Sequence, residues 1–259
     1  MNFVFLPKIQ VISGLVKPPP VGKHRRIAVL LPYNYDKTDK HYPVLYLQDG
    51  QNLLEHRSPF GNWHVDQRLA IMSEQGLGDI IVVAIDHSEE NRIREFSPPE
   101  VTKFGSSLGK EYARYMAEEL KPYVDENFRT LPGRQHTGVG GSSMGGLISI
   151  FSGFIFPETF GKMMIFSPSL WLSPKIYFHA INFFNPFQTK IYLYAGGNEG
   201  SNMVPNVQRL KASLQRRGLD GSKIEFKISI DPEGEHNEAK WGEEFPKAVE
   251  WLFFEDLRI

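Results

Sequence analysis

The chain has 259 residues, no cysteine, 29 basic against 30 acidic side chains and a formal net charge of −1. Balanced charge leaves no electrostatic footprint for nucleic acid or an anionic membrane surface, and the missing cysteines exclude disulfides, thiolate metal sites and cysteine nucleophiles. The start, Met1 to Phe5, lacks a basic region followed by a signal-length apolar stretch, and no run is long enough to span a bilayer, so a cytoplasmic enzyme is expected.

Short apolar or β-branched runs alternate with longer amphipathic segments, the pattern of strands and helices wound about a mostly parallel sheet. An edge strand is predicted at Lys8 to Ser13, then strands at Ile27 to Leu31, Val44 to Leu47, Ile80 to Ile85, His136 to Gly140, Met163 to Phe166, Ile191 to Tyr194 and Ile224 to Ile230, about eight in all. The basic cluster Lys23-His24-Arg25-Arg26 reads as a solvated strand edge. Leu108, Tyr112, Tyr115, Met116, Leu120 and Tyr123 recur at helical spacing and predict a crossover helix. Further helices are predicted over Leu147 to Phe156, from near Asn202, and on the stripe Trp241, Phe245, Ala248, Val249 and Leu252. Pro18-Pro19-Pro20, Pro98-Pro99, Leu131-Pro132-Gly133 and Gly196-Gly197 fall at the joints. With no repeat and no linker, residues 1–259 are read as one α/β domain. The stretch from Ser167 to Gln188, rich in aromatics that include Trp171, Tyr177, Phe178, Phe183, Phe184 and Phe187, is too short for a cap domain and is expected to form a partial lid.

Gly141-Ser142-Ser143-Met144-Gly145 matches G-x-S-x-G between a predicted strand and a predicted helix. A chain turning sharply there holds the central serine in a strained conformation with its hydroxyl projecting, the nucleophile elbow of α/β-hydrolases. By composition alone the pattern arises in about one chain in ten of this length, and the strand and helix flanks make chance a poorer account. A phosphate-cradling loop would need a Lys-Ser or Lys-Thr after the glycines, which is absent.

A serine hydroxyl needs a neighbour to take its proton, and histidine suits by its near-neutral pKa. In this fold the chain order is serine, acid, histidine. His179 and His236 follow Ser143; His236 lies in a polar loop between the last predicted strand and the last helix, whereas His179 lies in the aromatic stretch. Glu199, the carboxylate in the loop Ala195-Gly-Gly-Asn-Glu-Gly-Ser after the preceding strand, is the expected acid, against a plain helix-terminal carboxylate; Asp220 and Asp231 are reserves that look like turn residues. The oxyanion donors are expected to be the N–H groups of Met144 and of Gln51, the latter after Gly50 in the loop following the strand Val44 to Leu47. Trp63, Trp171 and Phe178 are candidate substrate contacts, with ordinary core aromatics as the competing account. No metal or organic cofactor is implied.

The motifs Leu45-Tyr-Leu-Gln-Asp-Gly-Gln-Asn, Gly141-Ser-Ser-Met-Gly-Gly, Ser167-Pro-Ser-Leu-Trp and Gly234-Glu-His-Asn-Glu-Ala-Lys-Trp together resemble the "putative esterase" family of α/β-hydrolases, which includes S-formylglutathione hydrolases, feruloyl and acetyl xylan esterases, enterochelin-type siderophore esterases and mycolyltransferases. The resemblance runs from about Val29 to Trp251. It implies the α/β-hydrolase fold without a large cap, a serine esterase acting on a small-molecule ester, Ser143, Glu199 and His236 as the triad and Gln51 as an oxyanion donor. Arg92 and Glu95, in Asn91-Arg-Ile-Arg-Glu-Phe-Ser-Pro, match a pattern of the siderophore-esterase-like branch and are expected to line or buttress the pocket or to form a structural ion pair. Glu-His-Asn-Glu-Ala-Lys-Trp leans toward that branch, although the large amino-terminal extension of some enterochelin esterases is absent. Two other readings stand beside hydrolysis: acyl transfer on the same triad, and a catalytically silent binding domain, against which retention of all three residues argues.

Overall fold

The computed structural model describes residues 4–14, 25–54, 61–99, 101–102, 105–183, 187–215 and 223–255. Lys23, His24, Pro18-Pro19-Pro20, Phe184 and Asp220, all singled out above, lie outside the described residues.

Eight strands form one sheet: β1 (Lys8–Val11), β2 (Ile27–Leu31), β3 (Val44–Gln48), β4 (Ile81–Ile85), β5 (Thr137–Ser142), β6 (Lys162–Phe166), β7 (Thr189–Gly196) and β8 (Ile224–Asp231). Their spatial order is β1-β2-β4-β3-β5-β6-β7-β8, with β2 antiparallel to both its neighbours and all other pairs parallel. Strands β2, β3 and β4 are buried along their whole length, which is why each reads as an unbroken apolar run.

Alternate strand residues feed two cores. Val29, Leu31, Tyr46 and Val83 face one cluster, and Ala28, Leu30, Leu45 and Leu47 face the other. The first is closed by α3 (Gly109–Tyr115), a π-turn at Met116–Leu120 and α4 (Lys121–Asn127), together with α5 (Met144–Ile155), α6 (Ile176–Asn182) and α7 (Met203–Gln215). The second is closed by α1 (Val65–Glu74) and α8 (Glu238–Phe253). A four-residue helix, α2 (Arg92–Glu95), follows β4.

Two expectations are corrected here. Leu170, Ile176, Tyr177, Ala180 and Phe183 point into the first core, so the aromatic stretch is a helical layer on the sheet and not a lid. Arg25 is buried, not a solvated edge: its guanidinium donates to Glu95 through Nη2–Oε1 at 2.5 Å and Nη1–Oε2 at 2.8 Å. Glu95 is thereby neutralised without Arg92.

Candidate active site

Five strands that are neighbours in the sheet, β3, β5, β6, β7 and β8, all end at the same edge, and the loop after each contributes to one site. Strand β3 lies between β4 and β5, where the winding of the sheet reverses direction, and ligands of open parallel sheets bind outside the carboxyl ends at such a point.

Ser143 sits between β5 and α5 with φ 55° and ψ −121°, in a region that costs a non-glycine residue energy and survives only where the surroundings enforce it. The flanking glycines make that turn possible: a Cβ on Gly141 would lie 2.9 Å from the carbonyl carbon of Gly145, and one on Gly145 would lie 3.0 Å from Asp49 Oδ2. Asp49 (φ 57°) and Ser167 (φ 43°) also adopt the left-handed region, at the ends of β3 and β6. Three non-glycine residues at positive φ thus stand where three adjacent strands stop, and His64 (φ 54°), before α1, is another among the described residues.

His236, in the loop between β8 and α8, meets Glu199 at 2.6 Å through Nδ1 and Oε2. The Glu199 side chain is 0% exposed and that of His236 is 36% exposed, so the carboxylate is sealed behind an accessible imidazole. With Nδ1–H given to Glu199, Nε2 is left as the acceptor. The other carboxylate oxygen, Oε1, accepts from Ser167 Oγ at 2.6 Å and from the Gly196 N–H at 2.7 Å. Trp241 Nε1 donates to Ser167 Oγ at 2.9 Å, and the Trp241 ring stands edge-on to His236 at 4.8 Å. Sequence reasoning gave Ser167 and Trp241 no part in the site, although both lie in quoted motifs.

Ser143 Oγ bonds Ser169 Oγ at 3.1 Å, and no hydrogen bond joins it to His236. The Ser169 N–H also donates to the Ser143 carbonyl at 3.0 Å. Ser169 is therefore a second residue of the Ser167-Pro168-Ser169 turn that touches the site and went unassigned from sequence.

The turn Gly50–Asn52 after β3 is held on three sides. Arg92 clamps Asp49 with Nε–Oδ1 at 2.7 Å and Nη2–Oδ2 at 2.8 Å; Gln51 Oε1 accepts the His87 N–H at 3.0 Å; and Asn52 Nδ2 donates to Glu238 Oε1 at 3.0 Å. Burial raises the Glu238 carboxyl above its ordinary range, with the Asp49 charge adding to the rise. A Cβ on Gly50 would lie 2.6 Å from Asp86 Oδ1, so the backbone passes close to the end of β4. Among the described residues, neither the Gln51 nor the Met144 N–H has a hydrogen-bond partner.

The remaining predicted contacts separate. Arg92 and Glu95 do not pair with each other; Arg92 buttresses the β3 loop. Trp63 is 2% exposed and stacks on Phe166 at 5.5 Å, so it belongs to the second core and not to a pocket wall. Trp171 is exposed on the short helix Leu170–Leu172, directly beyond Ser169, and Phe178 is exposed on α6. Asp231 faces Lys240 at 3.3 Å and the Glu233 N–H at 3.0 Å, which is turn and surface work. His179 packs edge-on against Phe151. Among the described residues no group of three or more His, Asp or Glu side chains could hold a metal, and no helix is long and apolar enough to cross a membrane.

A family model described as "Putative esterase" matches residues 20–252. The chain belongs to that family. It is thus placed among carboxylic ester hydrolases, and the esterase's eight-stranded sheet is the α/β-hydrolase sheet. The esterase is 25% identical over 244 residues to the Bacillus subtilis (strain 168) protein described as uncharacterized protein YbbA, covering 89% of this chain and 93% of that one. It is 25% identical over 216 residues to the iron(III) salmochelin esterase of Escherichia coli O6:H1, covering 77% of this chain but 48% of that protein. The crystal structure of the BES protein from Bacillus cereus superposes with a TM-score of 0.76 at 21% identity, covering 95% of each chain.

Proposed function

We propose that this esterase works through an acyl-enzyme, with Ser143 as nucleophile, His236 as general base and Glu199 as the acid that orients it. The observation that carries the reading is the buried Glu199 carboxylate 2.6 Å from His236 Nδ1, on the same sheet edge as a strained Ser143. His236 Nε2 takes the Ser143 proton as Oγ attacks the ester carbonyl, and the carbonyl π pair moves onto oxygen. The N–H groups of Met144 and Gln51, both without protein partners among the described residues, receive that oxyanion. Collapse expels the alcohol, which takes the proton back from His236; water then attacks the acyl-enzyme by the same route. The absent Ser143–His236 bond is compatible with this scheme, since such bonds tighten when substrate is seated.

Both cores lie on one sheet, which supports treating the chain as one hydrolase domain. The substrate reading is a small-molecule ester of the siderophore type, supported by the salmochelin esterase similarity and by the exposed Trp171 beside Ser169 as an aromatic platform.

The test is labelling by a fluorophosphonate probe and turnover of p-nitrophenyl acetate. Ser143→Ala is expected to abolish labelling and to lower kcat by about four to six orders of magnitude. Labelling that survives the substitution sinks the nucleophile assignment. A panel of acetyl, feruloyl and catecholate trilactone esters tests the substrate reading, with the highest kcat/KM expected for the trilactone; a feruloyl preference overturns it.

A further inference from the structure

We propose that Ser169 is a further catalytic residue, its hydroxyl donating a hydrogen bond to Ser143 Oγ through both halves of the reaction. The inference rests on the nucleophile reading above and assigns a role that the triad and the oxyanion donors leave unfilled.

The geometry points one way. Ser169 is 2% exposed, so bulk water does not compete for its hydroxyl, and its side chain has one polar partner among the described residues, Ser143 Oγ at 3.1 Å. A hydroxyl carries a single proton and two acceptor positions. If Ser143 spent its proton on Ser169, none would remain for His236, and the attack could not begin. With Ser169 as the donor, the Ser143 proton stays available to His236 Nε2, and the bond from Ser169 strengthens as negative charge develops on Oγ. In deacylation Oγ is the leaving atom of the acyl-enzyme ester, and the same donor stabilises the charge that returns to it. No atom beyond those of the ester and water is consumed: the Ser143 proton passes to His236 and on to the alcohol, and the water proton returns by the reverse path.

The placement of Ser169 does not depend on its hydroxyl. Its backbone N–H holds the Ser143 carbonyl at 3.0 Å, its carbonyl accepts the Leu172 N–H at 3.1 Å, and Pro168 restricts the chain before it. The turn is also anchored at its other end, where the Ser167 N–H donates to the Tyr194 carbonyl at 2.9 Å and Ser167 Oγ holds Glu199. Removing the Ser169 hydroxyl therefore deletes one hydrogen bond and leaves the backbone scaffold in place.

The experiment is the second-order rate of fluorophosphonate labelling, with the burst and steady-state rates for p-nitrophenyl acetate, in wild type, Ser169→Ala, Ser169→Cys and Ser143→Ala. Ser169→Ala is expected to slow labelling, acylation and deacylation each by about ten- to a hundredfold, with KM within about twofold of wild type. Ser169→Cys, whose thiol is a weak donor of similar shape, is expected to fall between them, and serves the same purpose if the alanine variant does not fold. Labelling of either folded variant at the wild-type rate overturns the proposal, as does a loss confined to KM. Failure of wild type to label at Ser143 would instead overturn the nucleophile reading, so the two failures are told apart.

Discussion

Glu199 divides its carboxylate between two tasks: Oε2 meets the imidazole, and Oε1 is held by the Ser167 hydroxyl and the Gly196 N–H. Replacing it by glutamine keeps the shape but puts an amide, with its own donor, in place of the charge that would stabilise an imidazolium. Glu199→Gln is therefore expected to lower kcat by about three to four orders of magnitude, while Asp231→Asn, which alters a contact with half-buried Lys240, stays within a few-fold of wild type. The reverse ranking in steady-state kinetics would move the acid to Asp231. Ser167→Ala removes one of the two donors to Oε1 and leaves the buried Trp241 N–H unpaired, so a smaller loss of about tenfold in kcat is expected. Glu199 was legible because its loop offers one carboxylate at the position where the fold places an acid. Ser167 and Ser169 were not, because serine is common in turns and their partners lie 32 and 26 residues away, fixed only by the parallel register of β5, β6 and β7.

At the scale of an element, the loop after β3 is held by partners that local spacing does not name. Gln51 is the proposed oxyanion donor of that loop, and Arg92 and Glu95 stand three residues apart on the four-residue helix that follows β4. Each instead reaches a different partner, Asp49 on the β3 loop and Arg25 before β2. Side chains three apart can meet on a helix face, but here each is taken by an ion pair to another part of the chain, which local spacing does not reveal. Arg92→Ala would leave the Asp49 carboxylate, itself only 4% exposed, without its bidentate partner, directly beneath the turn that carries Gln51. The expected result is a stability loss of about 1–3 kcal/mol in urea unfolding together with a fall in kcat of about tenfold. Arg92→Lys should recover part of the stability but little of kcat, because an ammonium cannot reproduce the two-pronged geometry that fixes the loop. Equal recovery of both would mean that charge alone, and not the clamp, supports the turn.

Across the whole molecule, the buried parallel strands were found within one or two residues because burial on both faces writes them as continuous apolar runs. Helix α1 was missed although Val65, Leu69, Ala70 and Met72 face the core, since its ten residues mix them with Asp66, Gln67 and Arg68 and carry only a weak stripe. Trp63, just before α1, shows what that omission concealed. Its ring stacks on Phe166 at 5.5 Å and meets Trp241 at 6.2 Å and Phe245 at 6.5 Å, so it joins α8 to the end of β6, immediately behind Ser167 and Ser169. A core role and a substrate role for this residue make opposite forecasts. Trp63→Ala is expected to cost about 3–5 kcal/mol in urea unfolding, the range for truncating a buried aromatic, and Trp63→Phe appreciably less. Because Trp241 supports Ser167 and borders His236, kcat of the folded fraction should fall while KM changes little. A raised KM with undiminished stability would return Trp63 to the substrate pocket, and would require the stack on Phe166 to open in solution.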